Sequence, residues 1–168
     1  MRRTSFADMS CAIARSLEIV GDWWTPLILR DVYLGVSRFD DLVADLGISR
    51  NLLAARLDHL VDQQILERRR YQERPPRHEY GLTEAGRDFI PVLMALMGWG
   101  NRWAGLTDGP PATLEHRPCG NLFTPLIVCP HCGMRVDADD VKVHPGPGGR
   151  AGPGTRILAQ RLTQPDRP

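Results

Sequence analysis

Lysine is nearly missing from this chain: among 21 basic residues in 168, Lys142 is the only lysine and the others are arginines. The 20 acidic residues leave a formal net charge of +1. That balance excludes a strongly basic coat or an acidic tail, so any nucleic-acid surface must be a local patch. Arginine suits forked phosphate contacts, although the bias also fits a skew in genomic base composition. Long apolar runs are missing too. The longest, residues 89–99, contains Pro91 and falls far short of the roughly 20 residues that cross a bilayer. Arg2 and Arg3 do not introduce an export signal, because Asp8, Arg15 and Glu18 interrupt what would be its apolar segment. The expectation is a cytoplasmic protein. Cysteine is scarce at four residues; in a reducing compartment these read as metal ligands or redox sensors rather than a disulfide framework. No internal repeat is present.

What the chain does have is 42% hydrophobic residues, enough for a core without disulfides. Their arrangement divides it near residue 108. Before that point apolar residues recur at helical spacing. Asp108-Gly109-Pro110-Pro111 reads as a linker, 112–144 as a small cysteine-containing unit, and 145–168 as a flexible Pro/Gly-rich tail.

Ser10 is a good N-cap for a first helix with an Ile13, Leu17 and Val20 stripe, ended by Gly21. A second helix starts at Thr25-Pro26 or from Asp22, faces Leu27, Ile28 and Val32 inward, and stops at Gly35. Ser37 and Asp40 resemble a capping box for a third, whose Phe39, Leu42, Val43 and Leu46 fall on one face. After the turn Gly47-Ile48-Ser49, a fourth helix over about 50–63 buries Leu53, Leu57, Leu60 and Val61. Two short helices joined this tightly make either a helix-turn-helix or a plain αα-hairpin. The next segment favours the former: strands over 65–71 and 78–82 flank a turn with Pro75 and Pro76. Thr83 then caps a long helix carrying Phe89, Val92, Leu93, Leu96 and Trp103, which Pro91 should kink. The expected fold is mainly α with a small β-hairpin: a winged helix-turn-helix with a long C-terminal dimerisation helix, plus a zinc-ribbon-like appendage.

On the fourth helix Asn51, Ala55, Asp58 and Asp62 point away from the buried stripe, while Ser49 and Arg56 flank it. The N-terminal half of such a helix contacts base edges. Asn51 can pair bidentately with adenine, Arg56 can read guanine or hold phosphate, and Ser49 and Arg50 lie at the same end. Small Ala54 and Ala55 allow deep entry into a groove. Asp58 and Asp62 should repel phosphate further along. Between positions 68 and 78 of the hairpin, Arg68, Arg69, Arg70, Arg74 and Arg77 oppose Glu73 alone. Arg74 and Arg77 flank the diproline turn and suit a wing that straddles phosphates.

Cys11 to Leu17, Gly21 to Thr25, Leu27 to Arg30, Arg38 to Leu42, Ile48 to Leu57 and Tyr80 to Gly86 together resemble HxlR-type bacterial transcriptional regulators over about residues 11–108. Ala12 stands where that family usually has proline. The resemblance implies a winged-helix homodimer, joined through its terminal helices, that binds operator DNA. Cys11 falls at the family's N-terminal cysteine position, which in some members senses oxidants, electrophiles or aldehydes. A thiol at a helix N-terminus also sits at the positive end of the dipole. A structural cysteine at a dimer contact is the other reading.

In the appendage, His116, Cys119, Cys129 and Cys132 have the spacing H-x2-C-x9-C-x2-C. Three thiolates and an imidazole fit tetrahedral, structural Zn²⁺; metal-free thiols in a small β-rich unit are the alternative. His131 lies inside the second turn and is the weaker ligand. The resulting expectation is a homodimeric, sequence-specific regulator of promoter DNA rather than an enzyme, responsive to an oxidant or a small molecule. A zinc-ribbon module whose winged helix binds protein, and a ligand-responsive MarR-type regulator, are the alternatives.

Overall fold

A computed structural model describes residues 5–163; Arg2, Arg3 and the end of the expected tail, 164–168, lie outside them. The element order is α1 (Ala12–Val20), α2 (Thr25–Tyr33), α3 (Phe39–Leu46), α4 (Arg50–Asp62), β1 (Leu66–Gln72), β2 (Arg77–Leu82), α5 (Glu84–Trp103), β3 (Leu114–His116), β4 (Asn121–Phe123) and α6 (Arg156–Thr163). A 3₁₀ turn covers Ala138–Asp140. The first seven elements form the expected winged helix-turn-helix. β1 and β2 pair antiparallel from Leu66 opposite Leu82 to Gln72 opposite Arg77, with an irregularity after Arg70. A bridge between Arg38 and Glu79, and the Tyr80 N–H bond to the Ser37 carbonyl (2.8 Å), dock the start of α3 onto the wing.

One core holds this unit. Ile28, Leu29, Leu42, Leu53, Leu57 and Leu60 are fully buried, with Ile48, Leu66, Tyr80, Leu82 and Ile90 around them. Burying each such aliphatic side chain contributes about 1.5–3 kcal/mol. Leu27 was expected inside but is exposed. The buried stripe of α2 is Thr25, Ile28, Leu29 and Val32, which starts on a polar residue. Thr25 tolerates burial because Asp22 accepts from its hydroxyl and from its N–H (3.1 Å). Asp22 also accepts from the Trp24 N–H at 2.9 Å, so Asp22 caps this helix.

Two other expected caps are displaced. Cys11, not Ser10, sits at the N-cap of α1, and the Ser10 hydroxyl is drawn to Gly148 and Arg150 instead. α3 starts after Arg38 without a side-chain cap, because Asp40 is paired with Arg50. Gly47 ends α3 at φ +64°, a left-handed conformation that makes the sharp turn into α4. Thr83 caps α5 as expected, accepting from the Gly86 N–H at 3.2 Å. A β-carbon on Gly86 would lie 2.3 Å from the Ile65 carbonyl, so glycine lets α5 start flush against the wing. Pro91 lies inside α5, which continues as one helix to Trp103.

Beyond the linker, β3 and β4 form a hairpin, and the isolated Val128–Arg135 bridge marks a second one. This unit leans on α5, where Gly98 admits Pro125 and Thr124. The segment expected as a flexible tail is described as far as residue 163. It contains α6 and folds back on the N-terminal segment, with Thr155 buried and Gly154 packed against Met9. Proline and glycine disfavour order in an isolated chain, but the polar bonds to Ser10 anchor this one. Among the described residues no helix is long and apolar enough to cross a membrane.

Candidate nucleic-acid interface

Ser49 caps α4, its hydroxyl accepting from the Leu52 N–H at 3.4 Å. Leu53, Leu57 and Leu60 pin the helix to the core, and Asn51, Ala55, Asp58 and Asp62 are exposed as the wheel requires. Arg56 does not join them. Its guanidinium turns inward to Asp22, with Nε 3.4 Å from the carboxylate, and the side chain is only 27% exposed. Arg56 therefore pairs across to Asp22, at the N-terminus of α2, in the DNA-free protein. Arg50 is exposed, paired with Asp40 at 2.8 Å, and stacked over Phe39 with its guanidinium carbon 4.9 Å from the ring centre.

The arginines of the wing fall into two groups. Arg68 pairs with Asp58 of α4 at 3.1 Å, Arg70 with Glu73 at 3.1 Å, and Arg69 with Glu67. Asp58 is thus bridged to the wing by an exposed ion pair. Arg74 and Arg77, at the two ends of the turn, are exposed and in no ion pair among the described residues. Arg50, Arg77, Asp40, His78 and Tyr71 share a cleft of about 350 Å³ between the head of α4 and the wing. Residue-level reasoning missed Arg38, whose guanidinium lies 4.8 Å from the centre of the Tyr71 ring at the edge of the wing. Its signal was the extended run before α3, where only a cap was sought. This cleft, lined by Arg77 and by an Arg50 already paired with Asp40, can take a phosphate once Arg50 exchanges that partner, with Asn51 exposed next to Arg50 on α4.

The HxlR-like helix-turn-helix family model matches residues 19–108. The chain belongs to the HxlR family. It is 44% identical over 140 residues to the uncharacterized HTH-type transcriptional regulator Mb3122 of Mycobacterium bovis, spanning 83% of this chain and 89% of that one. The solved structure of PA1607, a candidate transcription factor, superposes with a TM-score of 0.74 at 35% identity, covering 83% of this chain and 98% of that chain. The oxidized form of the redox regulator HypR superposes with a TM-score of 0.51 at 28% identity, covering 55% of this chain and 96% of that chain. This HxlR family member is a transcriptional regulator with a helix-turn-helix domain, and its relatives are regulators rather than enzymes.

Outside the matched region, the structure places the other predicted residues as follows. Cys11 is half-buried at the head of α1 and lines an open cleft of about 1070 Å³ between the N-terminal segment and the tail. His116 Nδ1 lies 3.3 Å from Cys119 Sγ at the tip of the β3–β4 hairpin. Cys129 and Cys132 occupy the tip of the second hairpin, where the Cys132 thiol donates a hydrogen bond to the Cys129 sulfur. Backbone and side-chain N–H groups of Asn121 push the Cys119 thiol down from its ordinary pKa. Backbone N–H groups of Cys132 and His131 do the same for Cys129. The four predicted ligands thus stand as two pairs, and no three of them converge among the described residues.

Proposed function

We propose that this HxlR family member binds operator DNA sequence-specifically as a homodimer in the cytoplasm. Its α4 inserts in the major groove, and its wing holds the flanking phosphates. The observation that carries this reading is the allocation of charge: among the described residues Arg74 and Arg77 at the tip are in no ion pair, while the other wing arginines are compensated. Ser49, Arg50 and Asn51 present the N-terminal end of α4 beside them. Dimerisation rests on α5, where Val92, Leu96, Trp99 and Trp103 form one exposed apolar stripe at i, i+4, i+7 and i+11. Leu93 and Met97 of the same helix are half-buried. A stripe of this size on a free surface suits a second copy of the chain.

The likeness to HypR, named a redox regulator, favours a second reading in which Cys11 responds to an oxidant. The test of the main reading is genomic footprinting of the full chain, followed by binding to a recovered duplex. Asn51→Ala should erode discrimination between the recovered and a scrambled duplex by about 1–3 kcal/mol. Equal affinity of the native protein for both duplexes would overturn it.

A further inference from the structure

The segment 112–144 has ordered hairpins but no interior: none of its residues is buried. Leu122, Ile127, Val128 and Met134 are all more than half exposed. A unit shorter than about 40 residues that buries so little is not held by a hydrophobic core and needs a staple. Its two hairpin tips share one construction. In the first, the N–H of Gly120 bonds the His116 carbonyl at 2.8 Å, and Gly120 has φ +70°. In the second, the N–H of Gly133 bonds the Cys129 carbonyl at 2.8 Å, and Gly133 also has φ +70°. Each tip therefore closes a four-residue turn from one candidate ligand to the next, with a left-handed glycine immediately after the second. That turn aims backbone N–H groups at sulfur, which accepts them at Cys119 and Cys129.

The pairs also have suitable spacing. Two ligands on one tetrahedral Zn²⁺, at usual Zn–N and Zn–S lengths, lie about 3.5 Å apart, and His116 Nδ1 and Cys119 Sγ are 3.3 Å apart. No disulfide ties up any of the four cysteines.

We propose that the two hairpin tips are half-sites for a single structural Zn²⁺, held by His116, Cys119, Cys129 and Cys132. The ion draws the tips together and replaces the missing core of the appendage. On binding, three thiols release their protons to solvent and a neutral imidazole completes the shell. With four protein ligands the site is closed, so its role is architectural. This assignment stands apart from DNA binding, because the winged helix has its own core.

The test uses the full chain purified under reducing conditions without chelator. Elemental analysis should find one zinc per chain, and the three appendage thiols should react with a thiol reagent only after a chelator strips the metal. Replacing zinc with Co²⁺ should give the absorption of a tetrahedral, thiolate-rich site. Cys119→Ser and Cys129→Ser should each weaken zinc binding by more than the 10–100-fold typical of losing an outer-shell partner, and His131→Ala should leave it unchanged. Chelation of the native protein should raise amide exchange across 112–144 and leave α2 to α5 protected, a readout available even where a variant misfolds. Absence of zinc from metal-supplemented protein with four reactive thiols would overturn the proposal. So would a Cys129–Cys132 disulfide in reduced preparations, or exchange across 112–144 that ignores chelation.

Discussion

The sharpest consequence of the wing's charge allocation concerns salt. If Arg74 and Arg77 each neutralise one phosphate, each contact adds about 0.9 to the slope of log affinity against log salt. A homodimer presents the wing twice, so Arg77→Ala should flatten that slope by about 1.8. Over a fourfold rise in salt, for example from about 50 to 200 mM, the variant should then lose about twelvefold less affinity than the native protein loses. Arg74→Ala should match it, and the double variant should flatten the slope by about 3.6. Arg70→Ala is the internal control: its charge is already met by Glu73 at 3.1 Å, so the slope should change less. Asn51→Ala should leave the slope alone while relaxing base preference, since a base edge releases no counterion. Fluorescence anisotropy of a labelled duplex, titrated at several salt concentrations, measures all of these. Arg74→Ala and Arg77→Ala proteins that fold natively and keep the native slope would refute the wing as a phosphate clamp.

The remaining predictions concern stability and assembly. Asp22→Ala removes the acceptor for the Trp24 and Thr25 N–H groups and the partner of the inward-turned Arg56. It should cost about 1–3 kcal/mol in denaturant unfolding, and Asp22→Asn, which keeps one acceptor oxygen, should recover part of that. Asp31 is buried in α2, and burial pushes its carboxyl up from the usual carboxylate range despite Arg30 at 2.6 Å. Its folded-state pKa lies above its unfolded one, so its contribution is fully present in acid and is lost as pH rises through the folded value. Asp31→Asn should therefore raise the melting temperature at pH 7, with the gain shrinking in acid; a gain that grows in acid would contradict the sign. Replacing Leu96 and Trp103 together by arginine should convert the dimer into an 18.8 kDa species in sedimentation, whereas a native protein already sedimenting at that mass would remove the basis for the stripe's role.

Much of the fold was legible because local signals agreed with one another. Gly47 after a four-residue apolar period, Ser49 at the head of α4 and Thr83 at the head of α5 are chemical punctuation that needs no tertiary partner. Errors arose where a distant group intervened. Leu27 looked internal because α2's true inward stripe starts with Thr25, whose burial depends on the Asp22 carboxylate. Ser10 looked like a cap, yet its hydroxyl serves residues 148 and 150 across the chain.

The candidate site shows the same division, with a functional consequence. A helical wheel places Arg56 on the flank of α4, where it could turn either way, and only the fold puts Asp22 within reach to turn it inward. A count of charges makes the hairpin uniformly basic, yet Asp58, Glu67 and Glu73 compensate three arginines and leave two. A compensated arginine must give up its partner before it can take a phosphate, whereas Arg74 and Arg77 have no ion pair to break among the described residues. Binding energy should therefore concentrate at the tip of the wing, not spread along its strands. Arg68, paired with Asp58, instead bridges the wing to α4. Breaking this exposed pair should cost little stability but loosen the register between groove and backbone contacts. The Arg68→Ala protein should thus lose discrimination between operator and scrambled duplex while keeping its affinity for the scrambled one, an outcome opposite to that at Arg77.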